Sequence, residues 1–210
     1  MSRLLTTSAC VFITLLLSSC SSLIGGPKQS SSIYAPAPTT QPDAAWPQVG
    51  WSLEVAPPQV PRMLESNRIV VSPTPGELQV YRAATWARAP GGMVEDIILR
   101  TLEDSGKIAS VTRQDSGATS DYRLLLDLRD FKADYAGKEM PFARIEVNAK
   151  LLKLSDLSLV GNRTFVLEQP AQGSEVAQVS ATFTPLLTQL GRDVSAWVLQ
   201  TGPARTQKAR

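Results

Sequence analysis

The chain contains no histidine and only two cysteines in 210 residues. The lack of histidine excludes Ser-His-Asp and Cys-His catalysis and removes the commonest protein ligand of zinc, copper and iron. Cys10 lies in an N-terminal apolar segment of the kind that export removes, which leaves Cys20 alone. A single cysteine cannot build a disulfide framework or a cysteine-based metal site. The sequence therefore predicts no catalytic residue, no metal site and no dissociable cofactor.

Excess charge of either sign is also lacking. The 21 basic and 19 acidic side chains give a formal net charge of +2, and this balance does not indicate a nucleic-acid partner. A domain of about 150 residues buries roughly two-thirds of its unfolded surface. We therefore expect one domain that folds without disulfides or metals.

The N-terminus resembles a lipoprotein export signal. Arg3 precedes the apolar run 11–17, and Leu17-Ser18-Ser19-Cys20 follows it directly. The apolar run is too short to span a bilayer, and small residues precede the cleavage point. We predict a signal peptide over 1–19 and lipidation of Cys20, since two or three acyl chains anchor a protein stably. The alternative is an ordinary signal peptide that happens to contain a cysteine.

The residues after Cys20 predict where the anchor lies and how the domain is attached. Ser21 stands where an aspartate would signal retention in the inner membrane, so we expect the outer membrane, with the domain in the periplasm. Residues 20–50 are rich in Ser, Gly, Pro, Ala and Thr, which predicts a flexible tether. Ile33-Tyr34 and Trp46 are its apolar exceptions and are expected to pack either on the domain or on a partner.

Apolar periodicity predicts an α+β domain over 51–201. Alternating or β-branched runs predict strands, Pro73–Gly76 predicts a turn between two of them, and the spacing from Val94 to Leu102 predicts a helix ending at Gly106. The alternation changes phase inside the run Asp121–Tyr135, which indicates a β-bulge or a change of packing partner. The predicted strands are Ser52–Ala56, Arg68–Ser72, Glu77–Arg82, Lys107–Thr112, Asp121–Tyr135, Ala143–Leu151 and Leu159–Leu167.

The last three strands are expected to form an antiparallel meander. An apolar stripe predicts a C-terminal helix from about Ser174 that packs across the sheet, and Pro185 predicts either a kink or a late start of this helix. The fold expected is thus a mainly antiparallel sheet with helices on one face. The basic residues 202–210 predict a disordered tail.

Two segments carry a resemblance to a known family. Val60-Pro61-Arg62-Met63-Leu64 leads into the strand Ile69-Val70, and Thr85-Trp86-Ala87-Arg88-Ala89-Pro90 precedes the first helix. The chain resembles the auxiliary lipoproteins of ABC-type transport systems, which include PqiC-like and YmbA-like proteins. Thr85 stands where the family usually has arginine, and residues 63–66 are a looser version of the family's segment.

The resemblance implies a lipid-anchored docking protein rather than an enzyme. Its implied partners are an MCE-domain protein and, through it, an ABC permease and ATPase that move phospholipid or other apolar molecules. A homo-oligomer is a further expectation by analogy with symmetric MCE conduits. The alternative function is a scaffold or regulatory lipoprotein that supports outer-membrane or peptidoglycan assembly.

Arg62, Met63, Leu64 and Trp86 are the predicted partner-binding residues, because an aromatic beside proline-rich loops often anchors an interface. Core packing is the alternative for the same residues. Asp127, Asp130 and Asp134 suggest an acidic cluster, but strand alternation places Asp127 and Asp130 on opposite faces, which argues against catalysis. The only prosthetic group expected is the lipid on Cys20.

Overall fold

Eight strands form one mixed sheet, and two long helices pack against it. The computed structural model describes residues 30–203, which leaves the lipidation call at Cys20 and the signal peptide outside the described residues. The strands are β1 Ser32–Tyr34, β2 Ser52–Val55, β3 Arg68–Ser72, β4 Gln79–Trp86, β5 Ser110–Arg113, β6 Tyr122–Asp134, β7 Phe142–Lys153 and β8 Leu159–Pro170. The helices are α1 Pro90–Ser105 and α2 Val176–Thr201, with short 3-10 turns at Arg62–Leu64 and Gln114–Ser116.

Strand β6 organises the sheet. One of its edges forms a long antiparallel ladder with β7, which pairs in turn with β8, so the predicted meander is confirmed. Its other edge is shared by β2 near the beginning of β6 and by β3 near its end, both in parallel. The α+β fold is confirmed. The short parallel pairs β1–β4 and β2–β5 complete the sheet and had no counterpart in the prediction.

A β-bulge explains the phase change in β6. The register with β7 shifts between Leu128 and Asp130, which leaves Arg129 as the extra residue. Leu128 and Phe131 are both almost fully buried, so apolar side chains on either side of the bulge reach the same core. The predicted separation of Asp127 and Asp130 onto opposite faces is therefore wrong, because the extra residue returns both to the outer face.

Helix α1 has the boundaries that its sequence dictates. Pro90 occupies the first turn, where its missing N–H leaves no helical hydrogen bond unmade, and Gly106 ends the helix in the left-handed conformation with φ 59°. Its buried side chains lie at helical spacing on the face that meets the sheet and α2. The prediction of a helix ending at Gly106 is confirmed.

Helix α2 runs without interruption through Pro185. It begins nine residues before the proline, so the predicted late start is wrong. Pro185 and Ala181 are both exposed, and the carbonyl of Ala181, which the proline cannot bond, is therefore open to water. The position of Pro185 on the wet side of α2 is what allows the helix to continue.

An aromatic cluster joins the sheet to α2. The rings of Phe131 and Phe183 stack with their centroids 4.6 Å apart, and the ring of Trp86 meets both edge-on, at 5.8 and 5.2 Å. All three side chains are almost fully excluded from water. Such pairs contribute about 0.5–1.5 kcal/mol each beyond burial, so this cluster is a main source of cohesion between the layers.

The folded domain begins earlier than predicted. β1 pairs with β4, the N–H of Val49 donates to the carbonyl of Lys107, and Trp46 is buried. Residues 32–50 were assigned to the tether on composition, and the structure corrects that boundary to Ser32. The apolar exceptions Tyr34 and Trp46 pack on the domain, whereas Ile33 is 69% exposed.

The C-terminal boundary also shifts. The indole N–H of Trp51 donates to the carbonyl of Pro203 at 3.0 Å, and a methyl group on Gly202 would lie 2.3 Å from the Trp51 ring. Residues 202–203 therefore belong to the domain, because the Trp51 ring occupies the space beside Gly202. Residues 204–210 of the predicted tail lie outside the described residues.

Candidate docking surface

The loop of residues 60–67, called here the Met63 loop, leaves the sheet beside the bulge of β6. Immediately before it, the N–H of Gln59 donates to Leu126 and the carbonyl of Gln59 accepts from Leu128. Immediately after it, β3 begins and rejoins β6 only at Ala133. The loop therefore fills the gap between two parallel partners of β6, and both of its ends are fixed by the sheet.

Within the Met63 loop the predicted residues separate into one buried anchor and two exposed side chains. The N–H of Leu64 donates to the carbonyl of Pro61 at 2.7 Å and closes a 3-10 turn. Leu64 is 4% exposed, whereas Met63 is 38% exposed and Arg62 is also exposed. The turn thus presents a cation and a flexible thioether to solvent while Leu64 fixes the backbone beneath them.

Trp86, which was predicted to bind a partner, is buried in the core. Its ring is 1% exposed, in the aromatic cluster, so it makes no contact with a partner in this conformation. Its backbone N–H nevertheless donates to the carbonyl of Asn67 at 2.7 Å. The structure therefore brings Trp86 and the Met63 loop together, but with Trp86 as a support for the loop. The core-packing alternative holds for Trp86 and Leu64.

A groove that sequence reasoning missed lies between the segment after β1 and the two helices. It encloses about 350 Å³ and has an apolar floor with charged side chains at its margin. No periodic signal marked it, because Ala35–Pro38 has the composition of a linker. The groove is lined by Ala35, Pro36, Ala37, Pro38, Ala87, Arg88, Met93, Asp96, Ile97, Arg100 and Leu187.

The outer face of β6–β8 carries a ladder of ion pairs that includes Asp127, Asp130 and Asp134. Asp130 accepts from Arg144 at 3.0 Å and pairs with Lys132 at 3.2 Å, and Asp134 pairs with the same lysine at 3.5 Å. Asp127 pairs with Arg129 at 3.1 Å. Among residues 30–203 no cluster of acidic side chains has the arrangement of a metal site. Each of the three aspartates is therefore engaged in an ion pair on the outer face of the sheet.

Two carboxylates, the buried one of Glu54 and the exposed one of Asp121, hold β2 to β6. Glu54, whose side chain is 8% exposed, forms an ion pair with Arg123. Asp121 accepts hydrogen bonds from the backbone N–H and the hydroxyl of Ser52, both at 2.8 Å. These bonds stabilise the ionised form and hold the pKa of Asp121 below its usual range. The two contacts fix the parallel register that no sequence pattern revealed.

The helices of the described part of the chain are too short or too polar to cross a bilayer.

Comparison with known proteins identifies relatives of the whole domain. Residues 32–195 match the family described as ABC-type transport auxiliary lipoprotein component. Protein XCC0632 from Xanthomonas campestris has 48% sequence identity and a TM-score of 0.78, over 82% of this chain and 97% of that chain. The hypothetical protein CT253 from Chlamydia trachomatis shares the fold at 11% identity and a TM-score of 0.51, over 73% of this chain and 98% of that chain.

A search of curated proteins gives no match. The family match covers most of the folded domain, including the Met63 loop, α1 and α2 as far as residue 195. The relative from Xanthomonas campestris supports the same assignment at high identity over almost its full length. The chain belongs to the family of ABC-type transport auxiliary lipoprotein components.

Proposed function

We propose that the protein docks an ABC transport system of the MCE type, which moves phospholipid or another apolar cargo, from a lipid anchor in the outer membrane. The anchor is the acylated Cys20, the domain lies in the periplasm, and the partner is the MCE-domain protein that connects to the permease and ATPase. The protein itself performs no chemistry in this proposal. Membership of a transport auxiliary lipoprotein family supports the part of this proposal that concerns association with an ABC transport system.

The observation that carries the docking role is the construction of the Met63 loop. A flexible, polarizable methionine and an arginine project from a short turn, and both residue types are over-represented at protein interfaces. Beneath them, Leu64 is buried and Asn67 is bonded to the backbone of Trp86. A rigid support lowers the entropy that these side chains lose on binding, so the exposed pair is suited to recognition.

Site-specific crosslinking in intact cells tests the proposal. A photoreactive amino acid replaces Met63 in the full-length protein, and the control places it at Val166, which is 49% exposed on β8, two strands across the sheet from β6. We expect an adduct with an MCE-domain protein from position 63 and none from position 166. An adduct with cell-wall enzymes or assembly factors would replace the transport role with the scaffold alternative, and no adduct from position 63 would contradict docking through this loop.

The anchor has a separate test. Cys20→Ala removes the acylated thiol and leaves the described domain unchanged. We expect the variant to lose its retention in the membrane fraction while the domain stays folded. Retention of Cys20→Ala in the outer membrane would contradict the lipid anchor.

A further inference from the structure

Two turns meet at one end of the sheet and define what is called here the turn end, residues 73–78 and 135–141. The N–H of Gly137 donates to the carbonyl of Pro73 at 3.2 Å, and the N–H of Tyr135 donates to Ser72 at 2.9 Å. These bonds join the connection between β3 and β4 to the connection between β6 and β7. The opposite end of the sheet, where β7 turns into β8, is called here the base end.

The turn end exposes large apolar side chains that the fold does not use. Leu78 is 49% exposed and Met140 is 47% exposed. Tyr81, three residues after Leu78, and Tyr135, five residues before Met140, are half-buried, with their hydroxyl oxygens 3.5 Å apart. Burial raises the pKa of Tyr81, so this hydroxyl stays neutral. Tyrosines with an apolar body and a polar tip are the residues that favour the boundary between a bilayer and water.

The charges at the turn end offset one another. Lys138 within the turn end and Arg82 on the adjoining strand β4 are balanced in number by Glu77 and Glu139. The carboxylate of Glu77 is already engaged, because it accepts from Thr74 at 3.0 Å. The surface is therefore suited to lipid headgroups through its apolar and aromatic side chains, with the basic pair available to phosphate.

Exposure alone does not select this end, because Leu157 and Leu159 at the base end are 68% and 58% exposed. The direction of β1 distinguishes the turn end from the base end. β1 is parallel to β4, which begins at the turn end, and Ser32 pairs with Ala84. The first residue of β1 is consequently nearer the turn end, by strand geometry about 15 Å from it along the sheet. The chain from Cys20 enters the domain on that side.

The short segment between Cys20 and Ser32 also favours the turn end, rather than the base end, as the end that faces the membrane. The roughly twelve steps from Cys20 to Ser32 span at most about 40 Å when fully extended. The base end lies roughly 30 Å beyond Ser32 in the opposite direction, so bringing it to the membrane would consume most of the available length. Bringing the turn end to the membrane consumes little of it. The entropy of the connecting chain therefore favours an orientation in which the turn end faces the membrane.

We propose that the turn end lies against the membrane that holds the anchor, with Leu78 and Met140 in the lipid headgroup region and Tyr81 and Tyr135 at its boundary. This inference rests on the lipid anchor of the proposed function. It gives the domain a fixed orientation, because two contacts, a covalent one through Cys20 and an apolar one through the turn end, define which surfaces face away from the membrane. The Met63 loop, which lies midway along β6, is then directed sideways and remains open to a partner.

Spin labels on the full-length acylated protein test the orientation. Cys10 is removed with the signal and Cys20 is blocked by lipid, so Leu78→Cys, Met140→Cys and the control Leu157→Cys each add one reactive thiol. The proteins are reconstituted in vesicles of phosphatidylethanolamine and phosphatidylglycerol, and the accessibility of each nitroxide to oxygen and to a soluble nickel chelate is measured. We expect an oxygen-to-nickel ratio several-fold higher at positions 78 and 140 than at position 157.

The possible failures are distinguishable. Protein that does not float with the vesicles would overturn the anchor and this inference together. Protein that floats but gives the same aqueous ratio at all three positions would overturn the orientation and leave the anchor intact. Spin–spin broadening at positions 78 or 140 would show that a second copy covers the turn end, which would also overturn the membrane contact.

Discussion

Gly191 of α2 lies directly against Ile97 of α1. A methyl group on Gly191 would be 2.7 Å from Cγ1 of Ile97, 2.9 Å from Oγ1 of Thr101 and 3.2 Å from the carbonyl oxygen of Ile97. Ordinary contact distances are longer than all three. The absence of a side chain at position 191 is therefore the reason that the two helices approach so closely over the sheet.

Gly191→Ala tests this contact. Alanine favours a helix over glycine by about 1 kcal/mol, but overpacking in a close-packed core costs about 1–3 kcal/mol. We expect a net decrease in the free energy of unfolding, measured by urea titration, although the local helix propensity increases. Gln189→Ala, at an exposed position of the same helix, is the control and should change stability by less than about 0.5 kcal/mol. An increase in stability for Gly191→Ala would contradict the proposed close packing.

The turn between β6 and β7 predicts a stabilising substitution. Ala136 has φ 47°, Gly137 has φ 75°, and the N–H of Lys138 donates to the carbonyl of Tyr135 at 2.7 Å. Two central residues with positive φ favour Asn-Gly. We expect Ala136→Asn to raise the free energy of unfolding by about 0.5–1 kcal/mol and Ala136→Val to lower it. Equal midpoints in thermal unfolding for both variants would show that this turn is not strained.

The pair Glu54–Arg123 should behave as a buried ion pair. Arg123→Met leaves the carboxylate of Glu54, 8% exposed, without its partner, and we expect a loss of about 3 kcal/mol. The double variant Glu54→Leu with Arg123→Met should recover most of that loss, because it removes both charges. The control is Arg129→Ala, whose ion pair with Asp127 is about half exposed and should contribute less than about 1 kcal/mol. Equal losses for Arg123→Met and Arg129→Ala in urea titration would contradict burial of Glu54.

Asp121 should contribute to acid sensitivity. Its folded pKa is lowered by the two hydrogen bonds from Ser52, so its stabilising effect is complete above the unfolded pKa of about 3.9 and is lost as pH falls through the lower folded value. We expect Asp121→Asn to be less stable than the parent protein at neutral pH. The difference in free energy of unfolding should shrink as the pH is lowered below about 4. A difference that does not depend on pH would show that the carboxylate charge is not involved.

Substitution of Trp86 should lower the stability of the domain, whereas substitution of Met63 should weaken docking without affecting stability. Trp86→Ala empties the centre of the aromatic cluster and should cost about 3–5 kcal/mol, whereas Met63→Ser at an exposed position should cost less than about 0.5 kcal/mol. Recovery of the MCE-domain protein after chemical crosslinking should fall in Met63→Ser although the domain is stable. Normal recovery with Met63→Ser would place the docking residues outside this loop.

The sequence predicted those parts of the fold that carry a local signal. Gly106 fixes the C-terminal end of α1, and strict alternation of apolar residues fixes β7 and the bulge in β6. β1 has no such signal, because three residues in a Ser/Pro/Ala-rich segment resemble a linker until their edge partner β4 is known. For the same reason the groove beside Ala35–Pro38 was missed.

The docking residues were predicted only in part. Leu64 and Trp86 have apolar side chains that could equally have been exposed anchors. Only the tertiary packing shows that both are buried, Trp86 in the aromatic cluster. Arg62 and Met63 are exposed as expected, and their role stays a prediction. The opposite-face argument for Asp127 and Asp130 failed because a single extra residue at Arg129 reverses the alternation.

The two parallel partners of β6 have a consequence for how the chain acquires its structure. Ser52 bonds to Asp121, and Glu54 to Arg123, across 69 residues of sequence. As the N-terminus is synthesised first, β2 and β3 have no central partner until β6 follows. Contacts of such long range make folding slow, so the sheet closes late, after β6 has left the ribosome.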